Sequence, residues 1–284
     1  MKVAGRAAVV TGAAQGIGAA LAAELTRRGA RVVLADVSSA VEHTASTLDQ
    51  HSWTGDVSSV DGIASLLDFA RTDLGGVDLY FANAGVTGPP GLGSSDGDWD
   101  RILNVNLRAH IRAAQALIPD WQAAGEGHFV ATASAAGLLT QIGSAAYSVT
   151  KHAAVGFAEW LDITYRDDGI RASVICPMGV NTDLLRGIGD TDGGSIAVTP
   201  TGDPHHPPSD GRSAAQRAVT SAGRVLEPAK VAEVALGAVE ADEFLILPHP
   251  EVLDMYRMKA SDYERWLNGM SRYQRTLTSS DTEL

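Results

Sequence analysis

The chain has 284 residues, 45% of them hydrophobic, and its 34 acidic against 22 basic residues give a formal net charge of -12. That balance opposes binding to nucleic acid or anionic membranes, and no apolar run approaches the roughly 20 residues needed to cross a bilayer. A lone cysteine, Cys176, excludes intramolecular disulfides and Cys-rich zinc sites.

The opening MKVAGRAAVVTG lacks the apolar region of a signal peptide, so a cytoplasmic α/β domain taking a small-molecule partner is expected. Short runs rich in Val, Ile and Ala alternate with longer amphipathic stretches. This is the pattern of a doubly wound, mostly parallel, seven-stranded sheet with helices on both faces. No internal repeat is present.

The first strand is predicted at Ala7 to Thr11, followed by Thr11-Gly12-Ala13-Ala14-Gln15-Gly16-Ile17-Gly18. Between a strand and a helix, Gly12 permits a tight turn, Gly16 lets backbone approach a pyrophosphate, and Gly18 lets helix and strand pack closely. The helix that follows places Ile17, Ala20, Leu21 and Leu25 on one face and stops at Gly29. The second strand is predicted at Arg31 to Ala35. Asp36 closes it, where a carboxylate can accept hydrogen bonds from adenosine ribose hydroxyls and would repel a 2'-phosphate. No Lys or Arg follows in VSSAVEHT, and Gln15 occupies the turn where a basic residue could have stood, so NAD is favoured over NADP.

Further strands are predicted at Trp53 to Gly55, Leu79 to Ala82, His128 to Thr132, Ala172 to Cys176 and Phe244 to Leu247. Ser134 lies at the end of the fifth, on the carboxyl edge where ligands of such sheets bind. Tyr147 and Lys151, four apart in a helical stretch, project from one helix face. Cys176, at the end of an apolar strand before Pro177, reads as a buried thiol. The 184–226 stretch, rich in Gly, Pro and Asp, reads as a lid beside the site in preference to a disordered insertion. Its His205-His206 pair has no partner at a useful spacing, and no metal is assigned. Beyond a domain of residues 1–250, residues 251–284 read as a helical extension whose apolar side chains must dock on something.

In order, the TGxxxGxG turn at Thr11 to Gly18, Asn83-Ala84-Gly85, Asn106 in LNVNL, Ser134, and YxxxK at Tyr147 to Lys151 resemble the short-chain dehydrogenase/reductase family, over Arg6 to Pro248. The resemblance implies hydride transfer between a nicotinamide and an alcohol or ketone carbon. In it Tyr147 is the acid/base, Ser134 hydrogen-bonds the substrate oxygen, Lys151 holds the nicotinamide ribose and favours the tyrosinate, and Asn106 holds a water in the proton relay. Moving a phenol from about 10 to about 7 corresponds to ~4 kcal/mol, which neighbouring cations can supply.

It also implies cofactor contacts at Gly12, Gln15, Gly16, Ile17, Gly18, Asp36, Asp56 (against adenine), Val57, Asn83, Ala84, Gly85, Tyr147, Lys151, Pro177, Val180 and Thr182. By the same analogy Leu138, Gln141, Met178, Leu184 and Leu185 line a substrate pocket, whose apolar character suggests a hydrophobic secondary alcohol or ketone. The chain is expected to form dimers or tetramers through the helices carrying Asn106 and Tyr147. It departs from the family pattern at Ala82 before Asn83, at Met178 in place of a glycine, and at FLILPHPEV in place of a Gly-rich ending. A non-catalytic NAD-binding sensor or scaffold of the same fold is the alternative. The presence of Ser134, Tyr147 and Lys151 together weighs against it, and the glycine spacing and small substrate region weigh against sugar-nucleotide epimerisation.

Overall fold

A computed structural model describes residues 1–186, 214–221 and 223–279. The chain runs β1 (Ala7–Thr11), α1 (Gly16–Arg27), β2 (Arg31–Asp36), α2 (Ala40–Thr47), β3 (His51–Thr54), α3 (Val60–Leu74), β4 (Leu79–Ala82) and α4 (Asp96–Leu103). A π turn (Asn104–Arg108) leads into α5 (Ala109–Ala124), then β5 (Gly127–Thr132), α6 (Ala136–Leu139), α7 (Ala145–Tyr165) and β6 (Ile170–Ile175). The remainder is α8 (Asp183–Arg186), α9 (Ala214–Ser221), α10 (Pro228–Glu240), β7 (Leu245–Ile246), α11 (Glu251–Ser261) and α12 (Tyr263–Ser279).

The seven strands form one sheet in the order β3-β2-β1-β4-β5-β6-β7, and each pair is parallel. Because successive side chains of a strand point to opposite faces, the sheet feeds two cores. Val9, Val33, Tyr80 and Phe129 go to one, beneath α3, α5 and α7, and Val10, Leu34, Phe81 and Val130 go to the other, with Leu21 and Leu25 of α1 and Val231 and Leu236 of α10. The order reverses between β1 and β4, which places the end of β1 and the end of β4 at the switch point of the sheet.

Only β1 and β4 keep the expected bounds; β2, β5 and β6 shift by one or two residues at their ends, and β3 and β7 change for reasons that lie in their neighbours. β3 begins at His51, ahead of Trp53, and ends before Gly55, because the main-chain ladder to Val33 and Leu34 recruits the polar pair His51-Ser52. β7 shrinks to Leu245–Ile246 at the sheet edge, although Phe244 and Ile246 carbonyls still accept from Val174 and Cys176. No helix among the described residues is long and apolar enough to cross a membrane. The segment expected as a lid lies mostly outside the described residues, His205 and His206 included.

Candidate active site

The glycine turn is built as its residues require. Gly12 and Gly16 have φ of 65° and 59°, in the left-handed region that favours glycine. A Cβ on Gly12 would lie 2.8 Å from the Ala84 Cα, and one on Gly18 would lie 2.1 Å from the Gly12 carbonyl oxygen. Thr11 and Asn83 tie β1 to β4 at this point. The Asn83 amide donates to the carbonyls of Thr11 (2.9 Å) and Gly12 (3.3 Å), while the Thr11 hydroxyl accepts from the main-chain N–H of Asn83 and of Ala84 (both 3.0 Å). Asn83 thus spends its side chain holding the turn. α1 starts after Gln15 with no side-chain cap and no acidic residue in its first turn, leaving N–H groups that suit an anion.

Asp36 is held toward this turn, its carboxylate accepting from the Ala14 N–H (3.0 Å) and the Ser38 N–H (2.9 Å). Asp56 is exposed and accepts from the Ser58 N–H and hydroxyl (2.8 and 2.9 Å). Val57, next to it, is buried in the core. Thr182 reaches back to the glycine turn: a Cβ on Gly16 would lie 3.2 Å from the Thr182 methyl. Pro177 and Val180, between them, are buried, and Val180 forms a parallel bridge with Leu226.

Ser134, two residues past β5, accepts from the Ala136 N–H (3.1 Å) and donates to the Pro177 carbonyl (3.4 Å). Its hydroxyl also interacts with the phenol of half-buried Tyr147. Burial raises the Tyr147 phenol above its ordinary range, and the bond to Ser134 pulls it back down. Lys151, one helical turn on, is buried with its ammonium 5.5 Å from the Tyr147 ring centre and donating to the Thr132 carbonyl at 2.9 Å. Burial lowers it to about 8, so it is a cation that loses its charge more readily than a surface lysine. Gly85 brings the β4 loop alongside: a Cβ there would meet the Lys151 ammonium and the Asn106 oxygen, each at 3.5 Å. Cys176 is buried nearby, and its thiol is pushed up to about 12, mainly by burial.

Asn106 is fully buried inside the π turn. Its amide is committed, accepting from the Val86 N–H (2.8 Å) and donating to the Val86 carbonyl (2.9 Å) and the Thr150 hydroxyl (3.1 Å). The side chain therefore holds the β4 loop against α7, and any water contact from this residue falls to its main chain. A single π turn inside a helix frequently marks a functional position, and nothing in the spacing of LNVNL announces it.

The five residues expected around a substrate are spread more widely. Leu138 is 3% exposed and packs in the core, because α6 lies against α7 and α11. Gln141 spends its amide on the carbonyls of Ile142 and Ala215 (3.2 and 3.3 Å). Met178 is partly buried against the core, Leu185 is half-buried, and Leu184 is 43% exposed. Three residues went unnoticed in the sequence. His110 is buried against Phe129, and burial followed by the Lys151 charge lowers it to about 3. Lys259 is buried and donates to the Leu138 carbonyl (2.6 Å), and His249 is buried beside Met178. Lys259 stands among other charged residues of the tail, such as Asp254, Arg257 and Asp262, so nothing in the sequence sets it apart, whereas His249 is flanked by prolines. Among the described residues no three His, Cys, Asp or Glu side chains are grouped to hold a metal ion.

The family model described as short chain dehydrogenase matches residues 6–193. The chain is 39% identical over 193 residues to 1-deoxy-11-beta-hydroxypentalenate dehydrogenase of Streptomyces exfoliatus, covering 64% of this chain and 70% of that protein. It is 32% identical over 249 residues to cis-4-hydroxycyclohexanecarboxylate dehydrogenase of Sinomonas cyclohexanicum, covering 85% and 92%. Among solved structures, a short chain dehydrogenase/reductase from Burkholderia phymatum in complex with NAD superposes with a TM-score of 0.79 at 31% identity, over 93% of this chain and 96% of that one.

Proposed function

The chain belongs to the short chain dehydrogenase family, and from that premise we propose that it interconverts a secondary alcohol and a ketone with NAD as the hydride partner. The observation that carries this reading is the meeting of Ser134, Tyr147 and Lys151 beside Gly85, on the β4 loop that Asn83 ties to the glycine turn ahead of the uncapped start of α1. The turn suits a dinucleotide, because glycines at 12 and 18 let it close against Ala84 and its own main chain, where a Cβ would collide, leaving the uncapped N–H groups of α1 to meet a pyrophosphate. Asn83 braces it from β4, and Asp36 waits at its edge.

When bound, NAD supplies the acceptor for the hydride that leaves the alcohol carbon. The protein manages the proton. In oxidation the tyrosinate oxygen of Tyr147 takes the hydroxyl proton as the carbonyl forms, and in reduction the phenol returns it. The Ser134 hydroxyl donates to the substrate oxygen, holding it against Tyr147 as charge develops. The Lys151 ammonium stabilises the tyrosinate and offers its remaining hydrogens to a ribose hydroxyl.

A ring alcohol is the substrate class to test first, since the Sinomonas cyclohexanicum relative is named for a hydroxylated cyclohexanecarboxylate. A panel of cyclic secondary alcohols with NAD, followed by NADH absorbance, is expected to show turnover, and activity confined to charged open-chain polyols would reject the apolar class. In the same assay kcat/KM with NAD is expected to exceed that with NADP at least tenfold, and Asp36→Ala to narrow the ratio by removing the carboxylate that repels a 2'-phosphate. A wild-type preference for NADP would reject the NAD assignment.

We assign the outer face of α7 to a second copy of the chain. Val149, Trp160 and Ile163 are 50%, 53% and 80% exposed, and their helical spacing puts them on one stripe. Light scattering is expected to give a dimer or tetramer for the wild type and a smaller assembly for Trp160→Glu/Ile163→Glu; an unchanged mass would move the interface elsewhere.

A further inference from the structure

Two departures from the family pattern stand apart in the sequence, Met178 where a glycine is usual and the Pro248-His249-Pro250 ending where glycines are usual. In the fold they touch. The Met178 N–H donates to Nδ1 of His249 at 3.1 Å, and Nε2 of His249 donates to the Arg224 carbonyl at 3.0 Å. One nitrogen accepting and the other donating is the pattern of a neutral ring with its hydrogen on Nε2. The ring is 2% exposed, and prolines on both sides restrict the backbone that carries it.

What this ring grips is the segment after β6. Its first residue, Pro177, accepts from Ser134 and from the Ala135 N–H at 2.8 Å. Farther on, Leu226 brackets it by donating to Gly179 and accepting from Asn181, at 2.9 and 2.8 Å. Between these two anchors the Met178 N–H is the point at which the segment is held from the C-terminal side, and His249 supplies that hold. Resting on the reading of this segment as a wall of the cofactor and substrate site, we propose that His249 is a positioning residue. It fixes Met178, and through it the wall opposite Ser134, by accepting the Met178 N–H.

The two bonds of the ring can be removed separately. His249→Asn keeps an acceptor at the position of Nδ1 and loses the donor to Arg224, whereas His249→Gln keeps a donor at the reach of Nε2 and loses the acceptor. Amide exchange at Met178, measured by NMR without cofactor, is expected to stay slow in H249N and to quicken at least tenfold in H249Q. With NAD present, the KM for alcohol is expected to stay within about threefold of wild type in H249N and to rise roughly tenfold in H249Q, in keeping with loss of one hydrogen bond to a confined N–H. A merely structural role would lower the melting temperature of both variants and leave their KM values alike. Equal exchange rates at Met178 in the two variants, or equal KM values, overturns the proposal. Should H249Q fail to fold, H249N decides alone: fast exchange at Met178 or a raised KM in that variant overturns it. A wild-type chain that binds no NADH by fluorescence titration would instead overturn the cofactor reading, while the exchange comparison still tests the role of His249 at Met178.

Discussion

Tyr147→Phe is expected to lower kcat for alcohol oxidation about 10³-fold, within the ~10²- to 10⁴-fold that positioned proton transfer contributes, while NADH affinity changes less than about threefold. The substitution removes one oxygen and keeps the ring, so α7 and the contact with Lys151 retain their packing. No neighbour can take over the proton. The Ser134 hydroxyl, a weak base, turns its one hydrogen from the Pro177 carbonyl to the substrate oxygen, the Cys176 thiol is pushed up to about 12, and the Lys151 ammonium accepts nothing. The sign of the pH dependence follows from the proton. Oxidation needs the tyrosinate, burial holds the phenol high, and the wild-type rate should therefore climb with pH until Lys151, lowered to about 8, begins to lose the charge that supports it. In Tyr147→Phe the climb should vanish. Single-turnover measurement of NADH formation between pH 6 and 10 checks both points, and residual turnover within tenfold of wild type would remove Tyr147 from the role given to it.

Gly18→Ala should cost nearly as much by a different route. The added methyl would stand 2.1 Å from the Gly12 carbonyl oxygen and 2.7 Å from the Asn83 amide nitrogen. The first of these is backbone, held in a turn whose φ at Gly12 is 65°, so the clash is relieved only by moving α1 off β1. Overpacking of this kind costs roughly 1–3 kcal/mol, and a displaced helix start no longer aims its N–H groups at a pyrophosphate. NADH affinity is expected to fall at least ~10-fold, the equivalent of about 1.4 kcal/mol, with a lower melting temperature. Gly237→Ala in α10 is the control, since nothing lies within 4 Å of a Cβ there and alanine favours helix. Fluorescence titration with NADH and thermal unfolding of the two variants make the comparison. Undiminished affinity in Gly18→Ala would mean that the turn does not seat the dinucleotide.

Much of the fold was legible because it depends on local periodicity. β1 and β4 lie where the apolar runs place them, the helix after the glycine turn has its apolar face where Leu21 and Leu25 put it, and Asp36 ends β2. The Tyr147–Lys151 spacing is one helical turn, so any chain that folds this stretch as a helix puts both groups on one side. Boundaries drifted where the deciding partner belongs to another strand, as when the ladder to β2 draws polar His51 into β3.

What the sequence could determine by itself was therefore the set of elements, the glycine turn and the chemical identity of the phenol, hydroxyl and ammonium, because these depend on residues a few positions apart. Only the tertiary structure decided that Leu138 turns into the core, that Asn106 spends its amide on the β4 loop, and that the chain after β7 reaches back through His249 to Met178 and, from α11, through Lys259 to Leu138. Those last pairs are separated by 71 and 121 residues. Helical and strand periods carry no information over such distances, and the contacts exist only because packing of both layers onto one sheet returns the chain to the same edge.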